Sequence, residues 1–183
     1  MITKSIKNIS FGFTMVFMMV NAQFSNAQNN AGNNPQLQAV SAPEEYKAEN
    51  PGWLVNLDEA YALSKKTGKP ILANFTGSDW CGWCKRLVAS VFSKPEFQSW
   101  AEKNVVLVEL DFPRRKTLPP HIQQQNANLQ QAFQVSGYPT IWVFNLSKDD
   151  TKNQYSIEAL GKTGYTATVE EFTAGVEQMI KKK

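Results

Sequence analysis

Thr76-Gly77-Ser78-Asp79-Trp80-Cys81-Gly82-Trp83-Cys84-Lys85 is the stretch on which the reading of this chain turns. The residues before it, Pro70 to Phe75, read as a short apolar strand. Thr76 to Asp79 reads as a polar turn, and Cys81 to about Val91 as a helix. Two cysteines two residues apart therefore fall at the start of a helix. Residues three apart on a helix share a face. Their Cα separation then lies within the roughly 4.4–6.8 Å that a disulfide tolerates. A helix start also offers unpartnered backbone N–H groups and the positive end of the helix dipole. Both favour a thiolate over a thiol and lower the pKa of the first cysteine. The spacing predicts Cys81 as an exposed nucleophile and Cys84, one turn in, as a shielded resolving thiol.

The chain has no other cysteine. A bridge between positions 81 and 84 closes almost no loop, so it gains little as a structural staple. It is well placed as a redox couple. Zinc needs about four ligands, and besides the two cysteines the chain has one histidine, His121, in a polar segment. Covalent haem attachment needs a histidine directly after the second cysteine, where Lys85 stands. No metal is expected, and no cofactor beyond the disulfide. An inert local disulfide, a soft-metal carrier for an ion such as Cu(I) and a non-catalytic binding module stay open as alternatives.

Working outward, the N-terminus has the form of a secretory signal over residues 1–27. Lys4 and Lys7 precede an apolar run from Phe11 to Val20, too short for the roughly 20 residues of a membrane-spanning helix. Cleavage is expected after Ala27, with Ala22 as the second choice and an uncleaved anchor as the alternative. The chain is thus read as exported, to the periplasm of a cell with two membranes or otherwise to the outside. Residues 28–52, rich in Asn, Gln, Ala and Pro, read as a flexible linker. Residues 53–183 read as one folded domain.

The formal charge of +3 comes from 19 basic and 16 acidic residues; without Lys4 and Lys7 the balance is 17 against 16. A near-neutral chain gives no electrostatic case for nucleic acid or a membrane surface. A monomer is expected, with protein thiols and disulfides and an upstream redox donor or acceptor as partners.

Within the domain, Asn56-Leu57-Asp58-Glu59 reads as a helix cap, with the helix stopping at Gly68. Ser93-Lys94-Pro95-Glu96 reads as a second capping box, opening a helix to about Lys103. Val105 to Asp111 is the clearest strand. A loop from Phe112 to Pro120 leads to a helix over about Ile122 to Phe133. A strand from Thr140 to Asn145, a charged turn from Ser147 to Asn153 and an edge strand from Gln154 to Leu160 follow. Thr168 caps the last helix. This order predicts an α/β sandwich around a mixed sheet.

The sequence resembles the thioredoxin-like superfamily. Asn74 through Lys85, the strand ending at Asp111, and Gly137-Tyr138-Pro139-Thr140 carry the likeness, which covers about residues 53–180. The Ser78-Asp79-Trp80-Cys81 start and the loop around Pro113 to Pro120 are similar to exported bacterial thioredoxin-like proteins. They are also similar to the C-terminal domain of DsbD-type membrane disulfide reductases. The resemblance implies a thioredoxin-like three-layer sandwich with a central mixed sheet flanked by helices. It implies a cis bond before Pro139 beside the cysteines, and a partner chain paired with the backbone of Tyr138. A proline that merely begins a strand is the alternative.

One position departs from the family pattern. Asn74 falls where thioredoxins keep a buried aspartate that takes a proton from the resolving cysteine, and an amide cannot do so. Glu109 and Asp111, two apart on one strand face, and Asp79 are the other acids near the site. Solvation or local capping is the plainer account of each. Trp80 is expected beneath the active-site turn, and Trp83 either on a partner-contacting surface or as a filler against the loop. Lys85 and Arg86 either favour the thiolate or sit on a solvated helix face. Arg114, Arg115 and Lys116 read as a solvated basic turn.

Overall fold

The side-chain oxygen of Asn56 accepts the backbone N–H groups of Asp58 and Glu59 at 2.8 and 3.3 Å, and helix α1 (Leu57–Thr67) begins there. It ends at Gly68, whose φ of 72° is the left-handed cap that glycine adopts without a Cβ clash. The computed structural model describes residues 46–149, 151–152 and 154–181. The expected signal peptide and most of the expected linker lie outside them.

After α1 come β1 (Ile71–Thr76), α2 (Gly82–Leu87) and a π-helical turn (Val88–Phe92). Then come α3 (Pro95–Asn104), β2 (Val106–Asp111), α4 (Pro120–Ala132), β3 (Thr140–Asp149), β4 (Gln154–Thr163) and α5 (Val169–Lys181). The strands form one sheet in the order β2-β1-β3-β4. β1 runs parallel to β2 and antiparallel to β3, and β3 is antiparallel to β4.

Alternation along β1 explains the layering. Ile71, Ala73 and Phe75 point to one side, where they join Leu57 and Ala60 of α1 and Leu129 of α4. Leu72 points to the other, with Ile141 and Val143 of β3, Leu87 of α2, Phe97 of α3, and Phe172 and Val176 of α5. Helices thus cover both faces of a mixed sheet, and the expected three-layer α/β sandwich is present.

Local readings changed in four places. The helix expected from Cys81 to about Val91 gives way at Val88 to a π-helical turn. Ser93 does not cap α3. Pro95 takes the first helical position, where its missing N–H costs nothing, and that makes Lys94 the cap residue. Pro120 likewise starts α4 two residues earlier than expected. The β3–β4 hairpin keeps pairing out to Asp149 and Gln154, so Ser147 to Asp149 of the segment expected as a charged turn is strand.

The reading of 28–52 as linker also meets a structured end. Glu109, on β2 and 1% exposed, accepts the backbone N–H of Glu49 (2.8 Å), the backbone N–H of Asn50 (3.3 Å) and the Asn50 side-chain amide (2.6 Å). Leu54 then bridges β2 in parallel opposite Val108. A buried carboxylate needs donors, and this strap supplies three. Burial still pushes the Glu109 carboxyl above its usual range.

Candidate active site

The sheet aims β1 at a turn, and the turn delivers two cysteines to a helix start. Cys81 is the cap residue of α2, with extended backbone (φ −81°, ψ 105°), and its Sγ accepts the backbone N–H of Cys84 at 3.1 Å. The two sulfurs are bonded, with Cα atoms 5.3 Å apart. The N–H that caps the helix therefore points at the sulfur on which thiolate charge would develop.

Cys81 exposes 6% of its surface and Cys84 2%. The expected order holds, but Cys81 is not openly exposed. The cap position tucks its sulfur over the first turn of the helix, so accessibility differs by degree only.

The turn beneath the cysteines is locked to the 112–116 loop from several directions. Asp111 ends β2 fully buried; its carboxylate accepts the Ser78 backbone N–H (2.9 Å) and hydroxyl (2.7 Å). Asp79 reciprocates by accepting the backbone N–H groups of Arg114 (3.1 Å) and Arg115 (2.6 Å). Some desolvation opposes its charge, but these N–H groups outweigh it and hold the Asp79 carboxyl below the usual range. Trp80 donates its indole N–H to the Phe112 carbonyl at 2.8 Å, and the Arg114 guanidinium lies 3.8 Å over its ring.

Lys116 completes the lock with Asp111 at 3.0 Å and with Glu49 of the strap. Burial works against its ammonium, and the two carboxylates reverse that and raise its pKa. The basic loop read as a solvated turn is thus the clamp of the active-site turn. Its contribution runs largely through backbone N–H groups, which composition does not reveal. Gly77 admits the arrangement, since a Cβ there would overlap the Trp80 ring.

Tyr138 and Pro139 meet this turn from the other side, and the bond between them is cis, as the resemblance implied. The Tyr138 ring packs edge-on against Trp80 (5.7 Å) and lies tilted by 34° against Phe112 (5.3 Å). Its hydroxyl accepts from Gln130 of α4 at 2.6 Å. Burial raises the Tyr138 phenol pKa.

Asn74 is 1% exposed and paired in register with Glu109 on one side and Ile141 on the other. It shares the face of Leu72, toward the layer that holds α2. Its carbonyl oxygen is buried and has no hydrogen-bond partner among the described residues. Glu109 and Asp111 do share that face, but the strap and Ser78 occupy their oxygens.

Lys85 donates to the Asp79 carbonyl (3.2 Å) and Arg86 lies over the Trp83 ring (4.7 Å). Trp83 is 54% exposed and contacts Tyr165 at 4.9 Å between ring centroids. Tyr165 was not singled out from sequence; it lies far along the chain with no motif around it. His121 is exposed at the start of α4. Among the described residues no group of three His, Cys, Asp or Glu could hold a metal ion, and no helix is long and apolar enough to cross a membrane.

Residues 57–179 match the family model described as the thioredoxin-like domain. The chain belongs to that family. It is 33% identical over 111 residues to the disulfide bond reductase DsbH of Chlamydia pneumoniae, covering 61% of this chain and 66% of that one. It is 27% identical over 121 residues to the thiol:disulfide interchange protein DsbD of Klebsiella pneumoniae, covering 66% of this chain and 18% of that one. Both matches span less than two thirds of the relative's own length. Among solved structures, a DsbH oxidoreductase superposes with a TM-score of 0.61 at 28% identity, over 84% of this chain and 96% of that one. A thioredoxin from Thermus thermophilus superposes with a TM-score of 0.50 at 20% identity, over 70% of this chain and 85% of that one, and shares the fold.

Proposed function

We propose that this thioredoxin-like protein is an exported thiol–disulfide oxidoreductase working through Cys81 and Cys84. The observation that carries the proposal is the cysteine pair itself: bonded, at a helix start, with the Cys84 N–H on the Cys81 sulfur. That N–H and the helix end stabilise a Cys81 thiolate.

The reaction is balanced within the two proteins. The Cys81 thiolate attacks one sulfur of a partner disulfide. A Cys81–partner disulfide forms, and the partner's other sulfur leaves as a thiolate. Cys84 then loses its proton to solvent or a nearby base and attacks the Cys81 sulfur. The partner's second thiolate is released and the Cys81–Cys84 disulfide remains. Two electrons pass to the partner, and an upstream thiol donor restores the pair. No cofactor beyond the disulfide is required. Trp83, Tyr138 and Pro139 serve as the partner-binding side, with Trp80, Asn74 and Lys85 in support.

The name of one relative, the disulfide bond reductase DsbH, favours the reducing direction for this chain. A reduction potential near about −270 mV would agree, and one near about −120 mV would mark an oxidant instead. Reduction of insulin disulfides in the presence of a thiol donor tests the activity. Cys81→Ser is expected to abolish it, and Cys84→Ser to accumulate a mixed disulfide. Undiminished activity in Cys81→Ser would contradict the proposal.

Export rests on Lys4, Lys7 and the Phe11 to Val20 run, outside the described residues. N-terminal sequencing of the mature protein, expected to begin at Gln28, tests it. An intact Met1 would contradict cleavage.

A further inference from the structure

We infer that Tyr165 and Trp83 form an aromatic wall that selects partner segments bearing a large apolar side chain beside their reactive cysteine. The inference rests on the exchange reaction proposed above and names the substrate class that the site prefers.

Four large hydrophobic side chains are exposed among the described residues: Leu63, Trp83, Ile157 and Tyr165. Two of the four touch each other at the redox couple, with ring centroids 4.9 Å apart and planes inclined by 59°. Trp83 lies between the cysteines. Tyr165 follows Gly164, which neighbours Pro139: a Cβ there would be in ordinary contact, 3.6 Å, with the Pro139 carbonyl oxygen. The wall thus runs from the cysteine helix to the cis-proline turn. At 54% and 39% exposure the two rings leave apolar area uncovered, which at a reactive site marks a contact surface.

The occupant follows from the covalent step. A partner cysteine bonded to Cys81 brings its Cα within about 5.5–6 Å of the Cys81 Cα. Its neighbouring residues then fall within reach of the two rings.

The charges refine the choice. Arg86 lies over the Trp83 face at 4.7 Å, a cation–π contact that fixes the ring and adds positive charge. Lys85 and Arg114 are exposed nearby. The Asp79 carboxylate is already engaged by the backbone of Arg114 and Arg115. The fitting partner is therefore an extended, cysteine-bearing protein segment with a bulky apolar neighbour and acidic rather than basic flanks.

The test uses the full mature protein, reduced, and two acetylated five-residue peptides of equal charge. Each has a central cysteine in disulfide linkage to thionitrobenzoate, flanked by leucine in one and by glycine in the other. Release of thionitrobenzoate in a single turnover gives the second-order rate constant for each peptide. Partial burial of a leucine on the wall predicts about a tenfold preference for the leucine peptide. Tyr165→Ala should bring the ratio close to one, and Tyr165→Phe should keep it. A ratio that survives Tyr165→Ala overturns the inference. So does a concentration-dependent dimer that Tyr165→Ala dissolves without changing the ratio, since the rings would then serve a second copy of the chain. Failure of the unsubstituted protein to react with either peptide or with free dithionitrobenzoate would overturn the exchange reading itself, and this inference with it.

Discussion

Asp111 holds Ser78 twice, through the backbone N–H at 2.9 Å and the hydroxyl at 2.7 Å, so the end of β2 fixes the turn that carries Cys81. Its side chain is wholly buried and also pairs with Lys116 at 3.0 Å. Asp111→Ala removes one of the two carboxylates that hold Lys116, which keeps Glu49, and leaves the Ser78 N–H and hydroxyl without their acceptor. Losing the carboxylate removes both Ser78 bonds and one Lys116 contact, so it costs more than Ser78→Ala, which loses one hydroxyl bond at about 1 kcal/mol. Urea unfolding of both variants measures the difference. Equal effects would show that Lys116 contributes nothing through Asp111.

Asp79 makes the reciprocal contact from the turn to the loop. Its pKa in the folded protein lies below the ordinary 3.8. The stabilising contribution is therefore present above pH 3.8 and is lost as the pH falls through the lower folded value. The backbone amide resonances of Arg114 and Arg115 should titrate together, with a midpoint under 3.8. A midpoint above that value would contradict the capping role.

Gly77 permits Trp80 to lie across the turn. Gly77→Ala forces a Cβ into the indole ring, and overpacking of this kind costs about 1–3 kcal/mol. The loss should appear in thermal unfolding together with slower disulfide exchange, since the displaced ring also carries the Phe112 carbonyl and Arg114 contacts. A fully stable variant would mean that the ring moves aside freely.

Asn74→Asp introduces a carboxyl at a position 1% exposed. Burial raises the pKa of such an acid. A raised folded value means that the variant is most stable, relative to the unsubstituted protein, below the unfolded carboxyl pKa of about 3.9. It then loses ground as the pH rises through the folded value. Urea midpoints at about pH 5 and about pH 8 should show a larger deficit at the higher pH. If the new carboxyl serves Cys84, the resolving step gains a matching pH dependence. A pH-independent deficit would show that the carboxyl is hydrated rather than buried.

What was legible in the sequence was local or short-range. Asn56 and Gly68 delimit α1 because cap and stop signals act within one turn of the helix. The cysteine spacing and the Gly137 to Thr140 run placed the helix-start disulfide and the cis-proline turn of the candidate site. Ser93 misled because the preference of Pro95 for the first helical position overrode its own capping preference. The clamp was not legible. Asp79, Arg114 and Arg115 meet across 35 or 36 residues through backbone N–H groups, which every residue but proline carries. Nor was the strap, since only the fold sets Glu109 opposite Glu49 and Asn50. Tyr165 reaches Trp83 because β4 ends beside Pro139, a matter of topology and not of motif.

The central claim is that the start of α2 makes Cys81 a thiolate nucleophile. The pH dependence of iodoacetamide alkylation in the fully reduced protein tests it most directly, with mass spectrometry identifying the modified cysteine. The account predicts that Cys81 reacts first and that its midpoint lies clearly below the free-thiol value of about 8.5. A midpoint at or above about 8.5, or equal modification of Cys81 and Cys84, would contradict it.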